Sequence, residues 1–288
     1  MTERQPVLGV IGGSGLYKMA ALTDIEEVAV ETPFGAPSDV ILRGRIHGTT
    51  VLFLPRHGRS HGVPPSAING RANIWALKKL GATHVVSVSA VGSLREEIVP
   101  GHLVVVSQFI DRTTQRTGTF FERDVAVHVP TADPVCPIMA AAITKGARAT
   151  GSETHVDKTY VCIEGPRFST RAESHMFRAW GADVIGMTNV PEAFLAREAE
   201  LPYATLALST DYDCWRPHEE GVDVAAVVAV LHKNVQHAQS VIASIARDMP
   251  DVSASPAHGA LRGALMTNWA TVPEAAKARL ALLLDGRV

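Results

Sequence analysis

Val7-Leu-Gly-Val-Ile-Gly-Gly-Ser-Gly-Leu16 opens with an apolar run of strand character that breaks into closely spaced glycines. The same layout recurs downstream. Val51–Leu54 leads into Pro55-Arg-His-Gly-Arg59, His84–Ser89 leads into Ala90-Val-Gly92, and Leu103–Ser107, Thr159–Ile163 and Tyr203–Leu208 also read as strands. Helical patterns are expected between them, over Pro65–Leu80, Pro137–Thr150, Ser169–Trp180, Pro191–Ala199 and Asp223–Asp248. In the last, Val224, Val227, Val228, Leu231, Val235, Ala238 and Ile242 recur at three- and four-residue steps. Strands alternating with helices are the signature of an α/β layer fold. Such sheets receive their ligands at strand ends.

A length of 288 residues has room for two domains of about 150 residues each. No Gly/Ser/Pro-rich linker divides the chain, so one domain over residues 1–288 is expected. Asp248–Pro256 is the loose stretch, and it sets off a C-terminal segment, 249–288, with a last helical pattern at Pro273–Leu284. A tail joined in this way packs on its own core or at a subunit interface. The 27 Lys+Arg against 29 Asp+Glu leave no basic face for a nucleic acid held by counterion release. No apolar run reaches the roughly 18–20 residues of a membrane span. Met1–Pro6 runs directly into a strand without the features of a secretory leader. The three cysteines, Cys136, Cys162 and Cys214, fit neither a disulfide framework nor a zinc spacing. A cytoplasmic enzyme is the expectation.

The motifs at the strand ends carry the chemistry. Closely spaced glycines at Gly12-Gly-Ser-Gly15 let backbone N–H groups approach an anion, with Ser14 adding a hydroxyl; a tight turn reads equally well. The register fits neither a dinucleotide fingerprint nor a Walker A loop. Arg56 can clamp a phosphate with two N–H groups and His57 can donate a third bond. His57 and His61 suggest zinc, but the surrounding Gly and Pro residues speak against a helical ligand pair. Ser89 and Ala90 offer a hydroxyl and backbone groups at the end of a buried strand. Phe168 is placed to stack on a planar ring or to join the core, and Ser169 to cap a helix, with Glu173 one residue too far for a capping box. In extended backbone Asp211 and Asp213 point to one face. Neighbouring carboxylates oppose each other's ionisation, so one of them can hold a proton for a departing base.

Taken in order, Gly12–Leu16, Pro55–Arg59, Asn73–Leu77, Gly92–Glu97, Gln108–Thr113, Glu164–Phe168, Gly186–Thr188, Val190–Glu192 and Thr210–Trp215 resemble the trimeric purine nucleoside phosphorylase superfamily. The branch they are most similar to is that of the 5'-methylthioadenosine phosphorylases. The likeness spans roughly residues 7 to 245 and is weaker over the C-terminal segment. It implies a central mixed, twisted β-sheet flanked by helices and a homotrimer. It also implies phosphorolysis of methylthioadenosine to adenine and 5-methylthioribose 1-phosphate, as in purine and methionine salvage. Inorganic phosphate is then the co-substrate, with no metal or organic cofactor. By the same resemblance Ser14, Arg56, His57, Ser89 and Thr188 hold phosphate. Met187 lies under the ribose, Phe168, Ser169, Asp211 and Asp213 surround the base, and Asp211 carries the proton for purine N7. Val224, Val227 and Val228 line the 5' pocket, and His128 comes from a neighbouring subunit.

The chain departs from many relatives in having Ser rather than Thr at 14 and 89, which keeps the hydroxyl. It departs from the 6-oxopurine branch, which has Asn at the position of Asp211 and Glu at that of Ser169. A carboxylate accepts from a 6-amino group and faces a 6-oxo group acceptor to acceptor, so adenine is favoured. Three valines suit a methylthio group, and a 5'-hydroxyl among them would lose about 1–3 kcal/mol. A 6-oxopurine nucleoside or methylthioinosine phosphorylase of this fold, a hydrolytic nucleosidase and a non-catalytic nucleoside sensor are the competing readings.

Overall fold

Leu8, Val10 and Ile11 have no solvent exposure to speak of because their strand is enclosed on both edges. β1 (Val7–Gly12) pairs in parallel with β4 (Thr49–Pro55) on one side and with β5 (His84–Ser93) on the other. β3 (Ile41–Ile46) and β2 (Thr23–Val28) extend that edge as an antiparallel ladder. The computed structural model describes residues 5–13, 15, 16, 18–216 and 224–284, except the side chains of 224–227, 229, 231 and 232.

Beyond β5 the sheet closes on itself. The strand order is β2-β3-β4-β1-β5-β8-β7-β6-β9, with β9 pairing back onto β5. Here β6 is Leu103–Arg112, β7 Thr154–Ile163, β8 Val184–Gly186 and β9 Tyr203–Asp211. The pairings around the ring are mixed, antiparallel for β5–β8 and β6–β9 and parallel for the others. Val91, Val104, Val106, Tyr160, Cys162, Val184 and Ala207 form one buried cluster. Every strand of the ring contributes to it, so it fills the ring's interior.

Two further cores cover the sheet. α2 (Pro137–Ala149) and α5 (Val224–Arg247) supply Met139, Ile143, Ala238, Val241 and Ile242 to one of them. α1 (Gly70–Lys79), α4 (Glu192–Glu198) and α6 (Glu274–Leu284) supply Ile74, Leu77, Leu195 and Leu280 to the other. α3 (Arg171–Ala179) packs Phe177 with Leu94, Val161, Ile185 and Trp215. The C-terminal segment belongs to this chain's own core. Leu261, Val272, Leu280, Leu283 and Leu284 are buried with Ile11 and Leu52, each such side chain contributing about 1.5–3 kcal/mol.

The expected helix over 65–80 is divided. Pro65–Ala67 makes a 3-10 turn, Ile68 is extended, and Asn69 starts α1 by accepting the Ala72 N–H on its side chain. At α3 the cap is Thr170, not Ser169. That one-residue shift gives a complete capping box, because Glu173 then stands at the third helical position. The three cysteines are free thiols. Among the described residues no helix is long and apolar enough to cross a membrane.

Candidate active site

β1, β4, β5 and β9 run parallel, so their C-terminal ends share one rim of the sheet. That rim carries Gly13, Ser89, Ala90, Asp211 and Asp213. Ala90 marks the opening, since it is exposed between buried Ser89 and buried Val91 in the middle of β5.

Arg56 lies beneath the rim and is 2% exposed. Its Nε and Nη2 donate to the two carboxylate oxygens of Glu192 at 2.8 and 3.1 Å. Nη2 also donates to Ser87 Oγ at 2.6 Å, and Nη1 to the Val88 carbonyl at 2.9 Å. Burial alone would lower the guanidinium pKa, but the Glu192 carboxylate more than offsets it and the pKa is raised. A guanidinium has five N–H bonds, and these partners leave one of them, on Nη1. The two-bond phosphate clamp expected from sequence is therefore already committed to Glu192.

His57 donates from Nδ1 to the Val63 carbonyl at 2.8 Å. Burial, and then the Arg56 charge, push its pKa down to about 4. The ring is neutral with Nε2 as an acceptor, where the sequence reading made it a donor. The rings of His57 and His61 lie 4.6 Å apart.

Ser89 Oγ meets Thr188 Oγ1 at 2.8 Å. Residues expected at one ligand, though 99 positions apart in sequence, are thus neighbours. Tyr160 rises between them from the ring interior, its Oη 3.4 Å from Ser89 Oγ and 3.4 Å from the Thr188 nitrogen. Burial pushes its phenol up to about 12, so it remains a donor.

The aspartates meet by a different route from strand alternation. β9 ends at Asp211, and Asp213 turns back with φ +52. Asp211 accepts the Thr210 hydroxyl on Oδ2 and the Asp213 N–H on Oδ1, both at 2.7 Å. A Cβ on Gly92 would stand 3.0 Å from Asp211 Oδ1 and 3.4 Å from Asp213 Cβ, so the pair lies close over this glycine. Burial, with the Asp211 charge added to it, raises the Asp213 carboxyl. Asp213 is thus the member of the pair whose charged form its surroundings disfavour.

Phe168 stands 46% exposed after the Gly165-Pro166 turn and is not a core residue. Ser169 offers its carbonyl to Cys214 Sγ. Met187 packs its sulfur over Gly165. Val228 is 43% exposed. Ser14 and the side chains of Val224 and Val227 lie outside the described residues. His128 is exposed, its main chain is bonded to the Ala264 carbonyl, and it makes no hydrogen bond to the rim residues among those described.

Sequence reasoning passed over Glu192, Tyr160, Asn189 and Tyr203. Tyr203 Oη donates to Glu192 Oε1 at 2.9 Å, and Asn189 Nδ2 reaches Ser87 Oγ and Tyr203 Oη at 2.9 and 2.7 Å. The one available signal was the acidic residue of Val190-Pro-Glu192, and nothing local pairs it with an arginine 136 positions away.

The sequence and fold have close counterparts. The model of the phosphorylase superfamily matches residues 7–247. S-methyl-5'-thioadenosine phosphorylase of Geobacter sulfurreducens is 50% identical over 285 residues, 99% of this chain and 100% of that protein. The protein of the same name from Thermosynechococcus vestitus is 50% identical over 96% of this chain and 97% of its own length. A crystal structure of methylthioadenosine phosphorylase from an Antarctic soil metagenomic library aligns with a TM-score of 0.91 at 49% identity, over 98% of this chain and 100% of that one. Methylthioadenosine phosphorylase from Schistosoma mansoni in complex with adenine aligns with a TM-score of 0.82 at 36% identity, over 99% of each chain. This coverage extends into the C-terminal segment, where the sequence motifs were weak. The chain belongs to the phosphorylase superfamily and, within it, to the methylthioadenosine phosphorylase family.

Proposed function

We propose that this chain cleaves 5'-methylthioadenosine with inorganic phosphate, giving adenine and 5-methylthioribose 1-phosphate. One observation carries the reading. The Ser89–Thr188 hydroxyl pair and the Asp211/Asp213 pair stand over the same stretch of β5, at Ser89 and at Gly92. Three residues of strand span about 10 Å, and exposed Ala90 lies between. A sugar over Ala90 then has phosphate on one side and its purine against the carboxylates on the other.

The chemistry follows from charge. Breaking the glycosidic bond builds positive charge on the sugar and negative charge on the purine. Phosphate held by Ser89, Thr188 and the remaining Nη1 hydrogen of Arg56 supplies the nucleophile and a compensating negative charge. The aspartate pair supplies the proton that neutralises the purine as it leaves, and burial with the neighbouring Asp211 charge disfavours ionisation within the pair. Phe168 covers the purine face and Met187 the sugar. Positioning and fixed charge lower the barrier, and phosphate is the one co-substrate required.

The reading also places Ser14 at phosphate, Val224, Val227 and Val228 around the methylthio group, and His128 in the site of a neighbouring subunit of a cytoplasmic homotrimer. Its test is adenine release from methylthioadenosine with and without phosphate. Release that stops when phosphate is omitted supports phosphorolysis; release that continues in phosphate-free buffer makes the chain a hydrolase.

A further inference from the structure

Arg116 makes none of the substrate contacts just described, yet it is tied to both loops that make them. Nη2 donates to the main-chain oxygens of Glu164 at 2.7 Å and Ile163 at 3.3 Å. Nη1 donates to the Val190 oxygen at 2.7 Å, and Nε to Glu164 Oε1 at 3.0 Å. The arginine side chain is 4% exposed. Glu164 Oε2 accepts the backbone N–H groups of Thr114 and Gln115 at 2.5 and 3.0 Å, so the segment carrying Arg116 is fixed to the same carboxylate.

These acceptors stand at meaningful places. Ile163 and Glu164 lead directly into Gly165-Pro-Arg-Phe-Ser169, the purine-side loop. Val190 closes Met187-Thr-Asn189, the sugar- and phosphate-side loop. The two loops also touch. Gly165 has φ +68, and a Cβ there would lie 2.6 Å from Met187 Sδ, so the contact requires glycine.

We propose that Arg116 is a positioning residue that locks the purine loop and the phosphate loop to each other, so that the two half-sites keep one register. The inference rests on the phosphorolysis reading, since it takes Phe168 and Thr188 to face the two substrates. A planar guanidinium suits the task because its donors point in fixed, divergent directions in one plane. An ammonium cannot reach the same acceptors at once. Loosening this link displaces both half-sites, whereas losing a contact residue displaces one.

The test compares wild type with Arg116→Lys, varying phosphate at saturating methylthioadenosine and then the reverse, with Ser89→Ala as a one-sided control. Wild-type turnover in this assay checks the phosphorolysis reading separately: a wild type without phosphate-dependent release refutes that reading and the Arg116 proposal with it, whereas an active wild type leaves the two KM values to decide the proposal alone. Arg116→Lys is expected to raise KM for both substrates at least threefold, while Ser89→Ala raises KM for phosphate alone. A purely structural role would lower the yield or the melting temperature of Arg116→Lys and leave both KM values near wild type. Either KM remaining within threefold of wild type overturns the proposal. Should Arg116→Lys not fold, Glu164→Gln is read by the same criterion, because it removes the carboxylate that holds Arg116 and leaves the arginine in place.

Discussion

Glu192 grips Arg56 side-on, accepting from Nε at 2.8 Å and from Nη2 at 3.1 Å, where the two side chains are 5% and 2% exposed. The cation that the sequence assigned to phosphate is thus neutralised within the protein. Arg56 acts there as an aimed N–H donor more than as a free charge. Removing one member of such a pair strands the other in a low-dielectric interior, at a cost of about 3–5 kcal/mol. Glu192→Ala is therefore expected to lose that much in urea unfolding and to raise KM for phosphate. A loss below about 1 kcal/mol would mean that the pair is solvated and does not hold Arg56.

Asp211→Asn keeps the shape of the base site and replaces a carboxyl by an amide. The amide can donate to a 6-oxo group, and it removes one of two interacting acids. Turnover of methylthioadenosine is expected to fall about tenfold or more, with activity on inosine rising relative to it. Adenine release at the wild-type rate would remove Asp211 from the leaving-group chemistry.

Ala90 faces open space from within a buried strand. Ala90→Leu should fill the cleft without overpacking the core. Activity is expected to be lost while the unfolding free energy stays within about 0.5 kcal/mol of wild type. Full activity in this variant would place the nucleoside elsewhere.

Glu198 gives the fold a pH dependence. Burial pushes its carboxyl up to about 7, against the Phe120 N–H bond at 2.8 Å that favours the charged form. In the unfolded chain a glutamate titrates near about 4.3. The folded pKa is the higher one, so the stabilisation is complete below about pH 4.3 and is lost as pH rises through about 7. In that window the unfolded chain has released a proton that the folded chain still holds. Glu198→Gln cannot ionise, so its stability relative to wild type is expected to grow by roughly 2–3 kcal/mol between about pH 5 and pH 8. Urea unfolding at the two pH values reads this, and a gap that does not change with pH would contradict it.

The strands legible in the sequence were those built on mostly apolar runs; β3, Ile41-Leu-Arg-Gly-Arg-Ile46, is enclosed between β2 and β4 but was not legible because two arginines and a glycine interrupt it. β2, Thr-Asp-Ile-Glu-Glu-Val, gave no such signal because it lies at the sheet edge with its side chains in solvent. β8 is three residues long, too short to carry a period. The return of β9 onto β5 could not be read, since register between distant strands is set by packing of the whole ring. At the site, residue types were legible and their partners were not. Ser89 and Thr188 were assigned to one ligand, and the structure brings them together. The alternation rule failed at Asp213, whose positive φ bends the chain back. The carboxylate partner of Arg56 was not legible because it comes from α4, remote in sequence.

The most direct measurement is kcat/KM in saturating phosphate for methylthioadenosine, adenosine, inosine and methylthioinosine. Methylthioadenosine is expected to lead, with adenosine behind it by the cost of a 5'-hydroxyl in an apolar pocket, about 1–3 kcal/mol or roughly 5- to 150-fold, and with both 6-oxopurines lower still. A preference for inosine or methylthioinosine over methylthioadenosine would contradict the assignment of the Asp211/Asp213 pair to an adenine ring.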